Sequence, residues 1–149
     1  MEENRRIIGI DYGSKRIGVA MSDPLNIIAQ GLCIVPNTDQ ALKAIQEIVE
    51  KHNAGAIVIG MPLNLKGDRG QTAVEAEAFA HSLEENLSIP VVRQDERFTT
   101  TIAHRTLRSM NTGKKERRNK ERIDLMAAAL ILQSYLDRLN VIRREQGME

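Results

Sequence analysis

The stretch that most constrains this chain is Ile7-Ile8-Gly9-Ile10-Asp11-Tyr12-Gly13. Ile7, Ile8 and Ile10 make a continuous apolar run, the pattern of a strand covered on both faces. The run ends on a carboxylate. An Asp at the end of such a strand is only partly solvated and is costly there unless hydrogen bonds or a metal ion compensate its charge. Gly13-Ser14 turns the chain, and Arg16-Ile17-Gly18-Val19-Ala20-Met21 predicts a second strand running back beside the first.

The remaining pattern extends this hairpin into a sheet. Asp23-Pro24-Leu25-Asn26 is a turn by composition, and residues 27–35 predict a third strand with Gly31 as a candidate bulge. A helix is expected from about Thr38 to His52, capped by Asn37 or Thr38, with Leu42, Ile45, Ile48 and Val49 on one face. Ala56-Ile57-Val58-Ile59-Gly60 is short and wholly apolar, as a central parallel strand would be. The irregular segment Met61 to Gly70 leads into a second helix, from about Gln71 to Asn86. Ile89 to Gln94 predicts a fifth strand, with Pro90 hinting at an edge. Thr99 or Thr100 should cap a third helix, with Ile102, Ala103, Thr106, Leu107 and Met110 on its apolar face. The last helix is expected from about Lys120 to Leu139, with a frayed tail over roughly 140–149. Right-handed crossovers then give an α/β fold with strand order 3-2-1-4-5, strand 2 antiparallel and helices on both faces. The 149 residues suit one domain with a proper core.

Composition narrows the function classes. Aromatics make up 3% with no Trp, so a stacking platform for single strands is disfavoured. Cys33 is the only cysteine, which excludes an internal disulfide. His52, His81 and His104 have no ligand spacing. No secretory signal pattern follows the charged N-terminus and no apolar run suggests a membrane span, so a cytoplasmic protein is expected.

The expected topology gathers three acids. Asp11 ends the central strand, Glu96 follows the fifth strand, and Asp124 lies in the first turns of the last helix. Small Ala127 and Ala128 would let that helix approach closely. Clustered carboxylates repel one another unless a cation sits among them. Hard oxygen donors suit Mg²⁺ or Mn²⁺, and such a site can activate a water against a phosphodiester. Each acid also has a plainer role available. Asp11 could bond the Gly13-Ser14 turn, Glu96 could be a surface charge, and Asp124 could answer the helix dipole. Asp95 competes with Glu96, because a one-residue offset exchanges their directions. Asp68 is a weaker candidate.

The net charge is only +1, but the cations are unevenly placed. From Arg105 to Arg122 there are eight Lys or Arg against two Glu. That run is either a solvated loop or a phosphate-holding flank beside the acids. Lys114, Lys115, Arg117 and Arg118 are its candidate contacts, with Lys15, Arg16, Arg69 and Arg97 near the same rim.

Four motifs in order resemble the YqgF (RuvX) family of the RNase H-like superfamily. They are Ile8 to Gly13 with Arg16 to Ala20; Gly60-Met61-Pro62-Leu63-Asn64 with Gly67; Asp95 to Thr100; and Ile123-Asp124 with Ala127-Ala128 and Ile131-Leu132. Together they span Ile8 to Leu136. The resemblance implies a three-layer RNase H-like fold and matches Asp11, Glu96 and Asp124 to the family's catalytic acids. It also implies metal-dependent nuclease activity, either in 5′-end maturation of pre-16S rRNA or as a Holliday junction resolvase. Two departures from the related RuvC pattern weigh against junction resolution. Gly60-Met61-Pro62 stands where RuvC-type enzymes carry an acid, and no acid follows Asp124 before Asp137. A non-catalytic ribosome-assembly factor remains open. A sugar-kinase-type phosphotransferase is disfavoured because it needs two such domains. Nothing marks a dimer face, so a monomer or weak homodimer is expected.

Overall fold

A computed structural model describes residues 5–61, 71–95 and 116–147 of the chain. Its centre is a five-stranded mixed sheet: β1 (Arg6–Tyr12), β2 (Arg16–Ser22), β3 (Ala29–Pro36), β4 (Ala54–Met61) and β5 (Val91–Asp95). The strand order is β3-β2-β1-β4-β5, as the pattern predicts. β2 runs antiparallel to both β1 and β3, while β1, β4 and β5 are parallel. The β2–β3 register slips beside Gly31, where the sequence predicts a bulge.

Alternation along each strand sorts the side chains into two cores. On one face, Ile8, Ile10, Ile17, Val19, Ile57 and Ile59 pack with Ala41 and Ile45 of α1 (Ala41–His52) and with Ala76, Ala80 and Leu83 of α2 (Gln71–Asn86). On the other face, Ile7, Ala20 and Val58 pack with Ala128, Ile131, Leu132 and Leu136 of α3 (Glu116–Glu145). The two faces explain why β1 from Ile7 to Ile10, and all of β4, are apolar.

Several local expectations are corrected. α1 begins at Ala41 rather than Thr38, and its N-cap, Gln40, makes no side-chain cap bond. Neither expected cap acts as one. Asn37 instead donates from Nδ2 to the Gly13 carbonyl at 2.8 Å, and the Thr38 hydroxyl accepts from the Gln40 N–H. α3 starts earlier and ends later than expected, running to Glu145 through residues expected to fray. Asn140 helps to hold that end, donating to the carbonyls of Asn26 and Leu136. By length and composition, Lys120–Glu145 would suffice to cross a membrane, contrary to expectation. Here its apolar side covers the sheet. The third helix expected after Thr100, and the segment from Pro62 to Gly70, lie outside the described residues.

Polar contacts fix the edges. The Asp23 carboxylate accepts N–H bonds from Leu25, Ile27 and Ile28, closing the β2–β3 turn. The Ile28 N–H foremost holds this carboxyl below its usual range. Arg93 of β5 bridges Glu77 and Glu84 of α2. Its hydrogen bonds hold the Glu84 carboxyl below the ordinary value.

Candidate active site

The carboxyl ends of β1, β4 and β5 lie along one edge of the sheet, and β2 begins there. Asp11 is next to last in β1. By alternation it shares the α3 face with Ile7 and Gly9, while Tyr12 turns to the other core and packs at a tilt against Phe79 of α2, ring centroids 5.3 Å apart.

Two glycines bring α3 to this edge. Gly18 of β2 pairs directly with Asp11. A Cβ on Gly18 would overlap the main-chain oxygen of Asp124 and would stand 3.4 Å from Asp124 Cβ. A Cβ on Gly9 would sit 2.7 Å from Leu132 Cβ. The helix therefore rests on bare backbone, which is the physical use of glycine inside a strand. Directly opposed residues of an antiparallel pair have Cβ atoms about 4.5–5.5 Å apart, so Asp11 Cβ and Asp124 Cβ lie within about 9 Å of each other. Ala127 and Ala128 are fully buried, as expected. The closer approach, however, is set by glycines on the sheet. Sequence reasoning centred on the small helix residues misses that role, although isolated glycines within apolar strands are a signal for it.

Asp124 is not in the first turn of α3. It follows Glu116 by more than two turns. The helix-dipole account of this acid therefore fails, because that effect fades beyond the first turn. Its partner is Arg16, whose Nε donates to Asp124 Oδ2 at 2.8 Å. The structure thus brings Asp11, Asp124 and Arg16 together.

The choice between Asp95 and Glu96 is addressed by β5. Val92 and Gln94 face α3, while Val91 and Arg93 face α1 and α2. Asp95 then falls on the face away from Asp124. Glu96, Asp68, Arg69, Arg97, Lys114 and Lys115 lie outside the described residues, as does the side chain of Arg117. Lys15 is exposed in the turn between β1 and β2, and Arg118 is exposed in the opening turns of α3. Gln94 is not among the expected site residues. It is buried, donates to the Ile131 carbonyl at 2.9 Å and accepts from Arg138, tying the end of β5 to α3.

A mixed five-stranded sheet ordered β3-β2-β1-β4-β5, with α3 on one face and α1 and α2 on the other, is the RNase H-like fold. Two solved structures share the fold. Residues covering 97% of this chain and 97% of Thermus thermophilus RuvC, solved with a Holliday junction substrate, superpose with a TM-score of 0.54 at 12% identity. Fowlpox virus resolvase, solved with Holliday junction DNA, gives 0.57 at 14% identity over 90% of this chain and 98% of that one. Residues 5–138 match the model of the RuvX family, described as Holliday junction resolvase, and the chain belongs to that family. Among its relatives, a protein of Ruminiclostridium cellulolyticum is 42% identical over 137 residues, 90% of this chain and 95% of that one. One from Geobacillus kaustophilus is 45% identical over 136 residues, 89% and 97% of the two chains. Both are provisionally named pre-16S rRNA nuclease.

Proposed function

We propose that this chain acts as one domain, a divalent-metal-dependent endonuclease of the cytoplasm that trims the 5′ end of pre-16S rRNA. The observation that carries this reading is the pairing of Asp11 with Gly18 beneath Asp124. It sets two hard carboxylates on one face of the sheet edge. Such a donor set fits Mg²⁺ or Mn²⁺, with Glu96 as the third ligand. Bound there, the ion would supply an activated water and charge stabilisation at the scissile phosphate. Asp11 and Asp124 would hold it from rigid elements, a central strand and a long helix. Lys15, Arg16 and the cations of the Arg105–Arg122 stretch would hold the flanking phosphates, with Arg69 and Arg97 as further expected contacts. The names of the relatives support an RNA precursor as substrate.

The test is cleavage by wild type and Asp11→Asn in Mg²⁺ and then Mn²⁺. The substrates are a small-subunit rRNA precursor, a four-way DNA junction and a plain single strand. Wild type should cut the precursor, and Asp11→Asn should lose more than the roughly 100-fold typical of an outer-shell defect. Paired symmetric nicks in the junction would instead favour the resolvase activity in the family description, which needs a two-fold dimer. Binding without cutting by either protein would leave a non-catalytic assembly factor.

A further inference from the structure

Arg16 and Asp124 are 108 residues apart in sequence and meet through one hydrogen bond of 2.8 Å. The Asp124 side chain is 16% exposed and that of Arg16 is 32% exposed. The acid is the more withdrawn partner, and the guanidinium is the cation the structure sets against it. The contact uses Nε alone, not the two-pronged mode in which arginine binds carboxylates most strongly. A single-bond pair that is partly open to water is a weak one. A divalent ion seeking the same oxygen brings twice the charge.

We propose that Arg16 is an exchangeable counter-ion of Asp124. In the metal-free protein its guanidinium neutralises and orients the carboxylate. When Asp124 takes a divalent cation, Arg16 is released to hold a substrate phosphate. This rests on the metal-site reading of Asp11 and Asp124. The position of Arg16 suits both tasks. It opens β2 at the edge where β1 ends, and it follows exposed Lys15. Metal and nucleic acid then become linked ligands, because filling the carboxylate site frees the cation that the phosphate needs.

The experiment is calorimetric titration of metal-stripped protein with Mn²⁺, using wild type, Arg16→Gln, Arg16→Lys and Asp11→Asn, with melting temperatures taken in chelator and in saturating Mn²⁺. Arg16→Gln should bind Mn²⁺ up to about five-fold more tightly than wild type, the factor expected when a weak competing ion pair is removed. Arg16→Lys should fall between them. The melting deficit of Arg16→Gln in chelator should shrink when Mn²⁺ saturates the site. Equal or weaker Mn²⁺ binding by folded Arg16→Gln overturns the counter-ion role. The metal site itself still stands in that case if Asp11→Asn loses Mn²⁺. If Arg16→Gln does not fold, affinity of Arg16→Lys at or below wild type overturns the proposal. Wild type that takes up no Mn²⁺ overturns both the proposal and the metal-site reading.

Discussion

Gly18 does more at this site than its absent side chain suggests. It pairs with Asp11 on one side and carries the main chain of Asp124 on the other. A methyl group there meets backbone, which cannot rotate away as a side chain can. Gly18→Ala should therefore cost about 3 kcal/mol or more, at or beyond the upper end of ordinary overpacking. Gly31 provides the internal comparison. Its added Cβ would meet Leu125 Cβ at 3.2 Å and Cδ2 at 3.3 Å, a tight contact that a shift of a few tenths of an ångström relieves rather than an overlap with backbone. Gly31→Ala should cost about 1 kcal/mol. Urea unfolding of both variants checks the order, and equal losses would show that α3 does not rest on Gly18 as described.

At the scale of elements, α3 does two jobs along its length. Its middle closes the second core through Ala128, Ile131, Leu132 and Leu136. Its opening turns lead from Asp124 past the sheet edge, with Arg118 and Lys120 exposed and Arg122 among them. The direction follows from the packing, since Asp124 lies over Gly18 while Leu132 lies over Gly9, deeper in the sheet. A cationic arm so placed would suit phosphates on either side of a bond held at the proposed site. Neutralising Lys114, Lys115, Arg117 and Arg118 together should weaken RNA binding and flatten its dependence on salt. The log–log slope should fall by roughly 1 for each phosphate that the variant no longer neutralises. An unchanged slope in a fluorescence binding titration would make the segment a solvated surface.

For the whole molecule, the site joins both ends of the chain to one sheet edge. Asp11 comes from the first strand and Asp124 from the last helix, the elements that pack together in the second core. A cation held by both would bind the folded chain and not the unfolded one. Saturation at about 100 times the dissociation constant would then add about 2.7 kcal/mol of stability. In a chain of this size that is a rise in melting temperature of about 5–10 °C. Thermal denaturation with Mn²⁺ and then with chelator measures it. The rise should disappear in Asp11→Asn, whereas an equal rise in that variant would place the bound ion elsewhere.

Much of this architecture is readable in the linear chain. The unbroken apolar runs of β1 and β4 require cover on both faces, and the crossover rule then orders the strands. Asp11 stands out because a charge at the end of such a run needs a reason. Helix ends are harder to read. Gln40 caps α1 without a side-chain bond, while Asn37 serves the β1–β2 turn instead. Propensity near Asn37 does not reveal which backbone group its amide will reach. α3 continues past its predicted ends, and one of them is held by Asn140 bonding to a carbonyl distant in sequence. The partner of Asp124 also depends on distant packing. Arg16 meets it only because Gly18 lets the helix down onto the sheet. Periodicity and local chemistry specify which residues must be buried and which acids are out of place. Contacts between segments 108 residues apart depend on how closely two surfaces approach, and that distance is set when the helix and sheet pack.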